Sequence, residues 1–250
     1  MAIVKQMIKY DKKICNSVLA LISAAAIVII TVVISYFVIY GPHGVTLLGN
    51  KNKKATSYAS KSATTAQGAT VFFGDSITEL CNLKEYYPNV NACNRGISGD
   101  TTEGMLNRFD SNVISIAPSN LVFLGGTNDI GRNVAPQDIS KNIESIIQKT
   151  QESLPDCNIY IQSVYPVNNI RKPTFYCKTG KRTNQVIDEL NLLLQDLCKQ
   201  YNCVYIDVNP HLKDKNGNLK EEYSIDGLHL TKQGYEKVAS LVMPYLNLGV

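Results

Sequence analysis

From Thr70 onward the chain alternates between short apolar runs and stretches whose apolar residues recur at helical spacing, and this alternation restricts its fold more than any other feature. Apolar runs fall at Thr70–Phe73, near 90–93, and at 120–125, 158–162 and 203–207; helical patterns fall near 101–108, 136–153, 183–201 and 231–246. Runs this short suit strands buried on both faces. The punctuation agrees: Pro136 with Asp138 opens one helix, Leu154-Pro155 closes it, and Leu230-Thr-Lys-Gln-Gly-Tyr opens the last. Such alternation requires right-handed strand–helix–strand crossovers. The expected fold class is α/β, a three-layer α/β/α flavodoxin-like sandwich with a parallel sheet over residues 69–250. The longest loop, Val167 to Arg182, either lines a substrate entrance or is a solvated connection.

Open α/β sheets keep their sites at the carboxyl ends of strands, so the residues just after each apolar run carry the functional information. Thr70-Val-Phe-Phe-Gly-Asp-Ser76 ends a strand in a tight turn that presents a hydroxyl. Gly-Asp-Ser alone usually means only a turn. Asn94-Arg-Gly-Ile-Ser-Gly99-Asp-Thr-Thr brings glycines whose N–H groups approach a ligand closely, and Leu121-Val-Phe-Leu-Gly-Gly-Thr-Asn128 ends in a side-chain amide. Acyl transfer places negative charge on the former carbonyl oxygen, and three donors, Ser76 N–H, Gly99 N–H and the Asn128 amide, would answer it.

A serine hydroxyl needs a base, and the chain has three histidines. His43 lies just beyond an apolar segment and His211 sits in a Pro-rich turn, whereas His229 follows Asp226 by three residues in Asp226-Gly-Leu-His229. In a tight turn the two face the same way. Read alone, Asp226 is equally a cap for the helix near Thr231 and His229 a surface residue.

These segments, in this order, resemble the four sequence blocks of the SGNH subgroup of the GDSL hydrolases, a family of esterases and lipases. The matching residues are Gly74-Asp75-Ser76, Gly99 within Ser98-Gly-Asp-Thr, Gly126-Thr-Asn128-Asp129, and Asp226-Gly-Leu-His229-Leu. The resemblance covers roughly residues 69 to 246. It implies Ser76 as nucleophile, His229 as base, Asp226 as the group orienting it, and Ser76, Gly99 and Asn128 as the oxyanion hole. No His-Glu-x-x-His, second histidine at ligand spacing or Cys-x-x-Cys occurs, so neither a metal nor an organic cofactor is expected.

The amino-terminal part is of another kind. Residues 14–40 contain no charge, and the 23 residues Val18 to Tyr40 are dominated by Leu, Ile, Val and Ala. As a helix they would reach ~34 Å, enough to cross a bilayer core. A cleaved signal peptide is the rival, but the run exceeds a usual h-region and Tyr36-Phe-Val-Ile-Tyr40-Gly-Pro lacks an Ala-x-Ala-like site. A transmembrane signal anchor is expected at 14–40, with basic residues 1–13 cytoplasmic and everything from about 41 onward outside the cell membrane. Residues 41–68, rich in Lys, Ser, Thr and Ala, read as a flexible stalk. Residues 1–13 carry +3 and 51–61 carry +4 of a total of +4, leaving −3 on residues 62–250, so no nucleic-acid-binding face is expected on the folded domain.

Cys15 belongs to the anchor; Cys81, Cys93, Cys157, Cys177, Cys198 and Cys203 are either small buried hydrophobes or disulfide partners, with Cys198 and Cys203 the pair to test first. The expectation is a membrane-anchored extracytoplasmic serine esterase acting on a small acyl ester, with a short O-acetyl group on a glycan first and a lysophospholipid second. Thioesterase action, O-acyl transfer to a wall glycan and a silent binding module are the alternatives.

Overall fold

Each of the five apolar runs becomes a strand of one sheet in the computed structural model, which describes residues 50–60, 68–170 and 179–247. In chain order the elements are α1 (residues 50–60), β1 (Thr70–Gly74), α2 (Ser76–Glu79), α3 (Leu83–Tyr86), β2 (Ala92–Gly96), α4 (Thr102–Asn107), α5 (Phe109–Asn112), β3 (Asn120–Leu124), α6 (Thr127–Gly131), α7 (Pro136–Ser153), β4 (Asn158–Gln162), α8 (Asn184–Gln200), β5 (Val204–Ile206), α9 (Asn209–Leu212) and α10 (Lys232–Asn247). The strands lie in the order β2-β1-β3-β4-β5 and every pair is parallel. Gly74 pairs with Gly96 on one side and Leu124 on the other, so β1, β2 and β3 end level. Strand order reverses at β1, which makes this shared end the switch point where open sheets hold ligands.

Period-two alternation distributes the strand side chains between two layers. Val71, Phe73, Leu121, Phe123, Ile159 and Ile161 meet Phe109, α7 and α8 on one face. Phe72, Val122, Leu124, Tyr160 and Ile206 meet Tyr87, Leu212 and α10 on the other. Both faces are therefore covered, as three layers require. On α7 the buried residues are Pro136, Ile139, Ile143, Ile146, Ile147 and Thr150, a single stripe at helical spacing. Each buried isoleucine stabilises the fold by about 1.5–3 kcal/mol relative to exposure.

The structure differs from the sequence reading in three places. Strand β2 runs to Gly96 and not to residue 93, with Asn94 and Arg95 inside it. An edge strand tolerates this because only one of its flanks pairs. The small helices α2, α3, α5, α6 and α9 have at most five residues each and no periodic pattern to betray them.

Third, residues 50–60, assigned to the flexible stalk, are helical. The chain divides into two units, Met1–Asn52 and Lys53–Val250, and the part of α1 in the second unit packs within it. Lys54 pairs with Glu79, the Tyr58 hydroxyl donates to Gly96 O at 3.1 Å, Asn112 Nδ2 donates to Ala55 O at 3.2 Å, and the Arg95 guanidinium lies 4.9 Å from the Tyr58 ring centroid. Composition concealed this helix because its covered face consists of a lysine stem, alanine and one tyrosine rather than large aliphatics.

The segment 14–40 lies outside the described residues; among the described residues no helix is long and apolar enough to cross a membrane. Cys15 and Cys177 also lie outside them. Cys198 and Cys203 remain thiols and meet at the end of α8, where Asn202 turns left-handed (φ 51°) and Cys203 N–H donates to Cys198 O at 3.0 Å.

Candidate active site

The chain leaves β1 through Gly74, and no other residue fits there. A Cβ on Gly74 would stand 2.3 Å from Thr78 Oγ1 and 2.4 Å from Leu124 O. This tight passage sets Ser76 at the head of α2, where the buried Asp75 caps the turn by accepting the Ile77 N–H at 2.9 Å. Ser76 Oγ then lies 3.0 Å from His229 Nε2.

His229 arrives from the far end of the chain. Ser224 and Leu230 bridge antiparallel, and the loop between them closes on the Asp226 carboxylate. Oδ1 accepts the N–H groups of Leu228 at 3.1 Å and His229 at 2.8 Å, while Oδ2 takes His229 Nδ1–H at 2.8 Å. Burial opposes ionisation of Asp226, but the His229 backbone and imidazole and the Leu228 N–H together hold its carboxyl below the usual carboxylate range. With Nδ1 occupied by a donor bond to an anion, Nε2 is the nitrogen left to accept the Ser76 proton. The alternative role as a helix cap falls to Thr231, whose Oγ1 accepts Gly234 N–H at 3.2 Å.

The second and third strand ends supply the rest. Gly99 adopts φ +72°, a left-handed conformation costly for any side-chain-bearing residue, and its loop is held from several directions. Ser98 N–H donates to Glu79 Oε2 at 2.5 Å, Arg132 Nη2 donates to Gly99 O at 3.0 Å, and Asp100 receives Arg108 Nε at 2.8 Å. Arg108 also donates to Arg95 O at 2.9 Å and Gly74 O at 3.0 Å, tying the ends of β1 and β2 together. Asn128 opens α6 with its Nδ2 donating to Asp100 O at 2.9 Å and to Asp75 Oδ2 at 3.3 Å. The latter bond is longer than the usual 2.9–3.0 Å. Asp129, next in sequence, accepts Thr102 Oγ1 at 2.7 Å and locks β3 to the start of α4.

Asp75 is fully buried beneath these groups. Burial pushes its carboxyl up to about 6, opposed by the Ile77 N–H and by the charges of Arg182 and His229. A separate open cleft of about 270 Å³ lies between α8 and α9 and is lined by Asp188, Asn191, Tyr205 and Asp207. None of the sequence-predicted site residues lines it.

A serine hydroxyl donating to an imidazole that a carboxylate anchors is an arrangement able to transfer an acyl group. Residues 72–237 match the model of the GDSL-like Lipase/Acylhydrolase family. This chain belongs to that family. The GDSL hydrolase is similar to the human platelet-activating factor acetylhydrolase IB subunit alpha1, 26% identical over 173 residues that cover 67% of this chain and 71% of the relative. Against the mouse alpha2 subunit the identity is 29% with the same coverage. Among solved structures, one of Streptococcus pneumonia bearing the name platelet activating factor superposes with a TM-score of 0.75 at 32% identity, covering 80% of this chain and 94% of the other. As a GDSL hydrolase, the protein is a carboxylic ester hydrolase.

Ser76, His229 and Asp226 are joined by direct hydrogen bonds, and Asn128 is linked to Asp75, the neighbour of Ser76. Sequence reasoning missed Asp75 as a buried member of the GDSL site, and it missed Arg108 and Arg182. The available signal for Arg108 was its position as a lone cation in Met105-Leu-Asn-Arg-Phe109, where a surface helix would bury apolar groups.

Proposed function

We propose that this GDSL hydrolase is a membrane-anchored, extracytoplasmic serine esterase that removes a short acyl group, acetyl first among them, through Ser76, His229 and Asp226. The hydrogen-bonded chain Ser76–His229–Asp226 carries the reading. His229 takes the Ser76 proton as Oγ attacks the ester carbonyl, then returns it to the leaving alcohol, while Asp226 holds the imidazole tautomer and stabilises the imidazolium. Ser76 N–H, Gly99 N–H and Asn128 Nδ2 receive the oxyanion. Water then attacks the acyl-enzyme, with His229 again as base. An acetyl preference is supported by the name of the curated relatives, which are acetylhydrolases. The uncharged segment 14–40 behind a basic amino terminus supports anchoring with the active site outside. An O-acetylated wall glycan is the substrate class that this placement favours.

A second reading has its own observation. Ile225, 63% exposed, stands beside Asp226, which favours an amphiphilic alcohol such as a lysophospholipid over a sugar. The test compares p-nitrophenyl acetate with its decanoate and laurate, and acetylated xylan with lysophosphatidylcholine, using the full-length chain in detergent. The acetyl esters should turn over fastest; a preference for long chains would transfer the assignment to the lysophospholipid reading. Adding a glycan acceptor and analysing products distinguishes hydrolysis from acyl transfer.

A further inference from the structure

Arg182 is a buried cation on the far side of Asn128, and each of its three guanidinium nitrogens donates to an acceptor. Nε donates to Thr127 O at 2.8 Å and Thr127 Oγ1 at 3.0 Å, Nη1 to Thr179 O at 2.9 Å, and Nη2 to Asn128 Oδ1 at 2.9 Å. It lies flat against α6 because residue 131 is glycine; a Cβ there would stand 2.7 Å from Cζ and 2.8 Å from both Nη atoms.

The chemical consequence concerns the polarity of an amide. The oxygen and nitrogen ends of an asparagine side chain are nearly the same size, so shape alone does not decide which end faces a ligand. A guanidinium has five donors and no acceptor, so it accepts only the oxygen end as a neighbour. On the opposite side Asp100 O and Asp75 Oδ2, both acceptors, require the nitrogen end. Arg182 thus closes a row running guanidinium, amide, carboxylate, in which the amide has one allowed orientation. A reversed amide would aim a carbonyl at the oxyanion and turn a stabilising contact into a repulsive one.

The geometry points to Arg182 as a positioning residue for the reaction, one that acts through Asn128 by fixing its amide with Nδ2 toward the oxyanion. The inference rests on the acyl-transfer reading given above. Arg182 acts from the wall of the site, through Asn128, without touching substrate.

The experiment is a double-mutant cycle in the full-length protein with p-nitrophenyl acetate, measuring kcat and KM separately. Asn128→Ala should lower kcat by ~10²–10³-fold, as loss of one oxyanion donor does. Arg182→Ala should lower kcat by ~10–10²-fold with KM changed less than about twofold, and in the Asn128→Ala background it should change kcat by less than about twofold. Free guanidinium should restore part of the kcat of Arg182→Ala, and Arg182→Lys should retain more than Arg182→Ala, since an ammonium still donates to Oδ1. Gly131→Ala, which displaces the guanidinium without removing it, should reproduce the kcat loss; with Arg182→Lys it carries the test if Arg182→Ala does not fold by circular dichroism. Equal losses in both backgrounds would overturn the inference, as would a rise in KM at unchanged kcat, which would mean that Arg182 binds substrate. Ser76→Ala in the same assay separates the two readings: activity surviving that change defeats the esterase mechanism itself, whereas an additive cycle with an inactive Ser76→Ala defeats only the role of Arg182.

Discussion

Ser76 Oγ and His229 Nε2 lie 3.0 Å apart although they stand 153 positions apart in the chain. The contact exists because β1 delivers Ser76 to the carboxyl edge of the sheet while the Ser224–Leu230 turn, packed beside α10, returns His229 to the same edge. Tyr235 of α10 reinforces the approach by donating its hydroxyl to Ile77 O at 2.8 Å, one residue beyond Ser76.

Under the proposed mechanism the two residues act as one proton-transfer unit, so Ser76→Ala and His229→Ala should each lower kcat/KM for p-nitrophenyl acetate by ~10³-fold or more, and the double variant should lose no more than about the larger single loss. Multiplying losses would indicate two independent roles and contradict the shared mechanism.

Asp75 makes the site costly to fold near neutral pH. Its carboxyl titrates at about 6 in the folded chain against an ordinary value of 3.8, so folding favours the protonated form. That contribution to stability is complete below about pH 4 and is lost as pH rises through about 6. Keeping the buried charge at pH 7.5 then costs roughly 3 kcal/mol. Asp75→Asn keeps an N-cap oxygen for Ile77 but turns a donor toward Asn128 Nδ2, so the charge effect is read as a difference: the change in Tm on substitution should be more favourable at pH 7.5 than at pH 4 by roughly 5–10 °C. Thermal melts at the two pH values check this; an equal shift at both would mean that the charge is not the cause.

Arg108 is buried with Asp100 and spans the ends of β1 and β2, with its guanidinium carbon 4.3 Å from the Phe73 ring centroid. Arg108→Ala strands a buried carboxylate and two carbonyls, and should destabilise the fold by about 3–5 kcal/mol in urea unfolding. The loss should exceed that of Lys141→Ala, whose exposed pair with Asp138 is worth at most about 1 kcal/mol.

The packing of α1 predicts that a chain beginning at residue 62 is less stable than one beginning at residue 50. Losing the Tyr58–Gly96 and Asn112–Ala55 bonds and the cover over Arg95 should cost about 1–3 kcal/mol, read as a lower urea midpoint. Equal midpoints for the two chains would return residues 50–60 to the role of a mere connection.

Much of this was legible in the chain itself. The bounds of β3, β4 and α7 follow directly from apolar periodicity and from Pro136 and Pro155, because local burial pattern and backbone chemistry act within a few residues. Ser76, Gly99, Asn128, Asp226 and His229 were nameable because each lies in a short motif at a strand end or turn, where chemistry and sequence position coincide. The amphipathic face of α1 was not legible, since alanine and tyrosine at helical spacing carry little hydrophobic signal until a partner surface is present. Nor were the environments of Asp75, Arg108 and Arg182: whether a charged side chain is solvated or buried depends on residues 8 to 55 positions away, which only the packed sheet brings to it. The sequence by itself determined the kind of fold and the chemical groups available; the tertiary structure alone decided their distances, the polarity of the Asn128 amide and the burial of Asp75, because electrostatics and hydrogen-bond direction are properties of space and not of order along the chain.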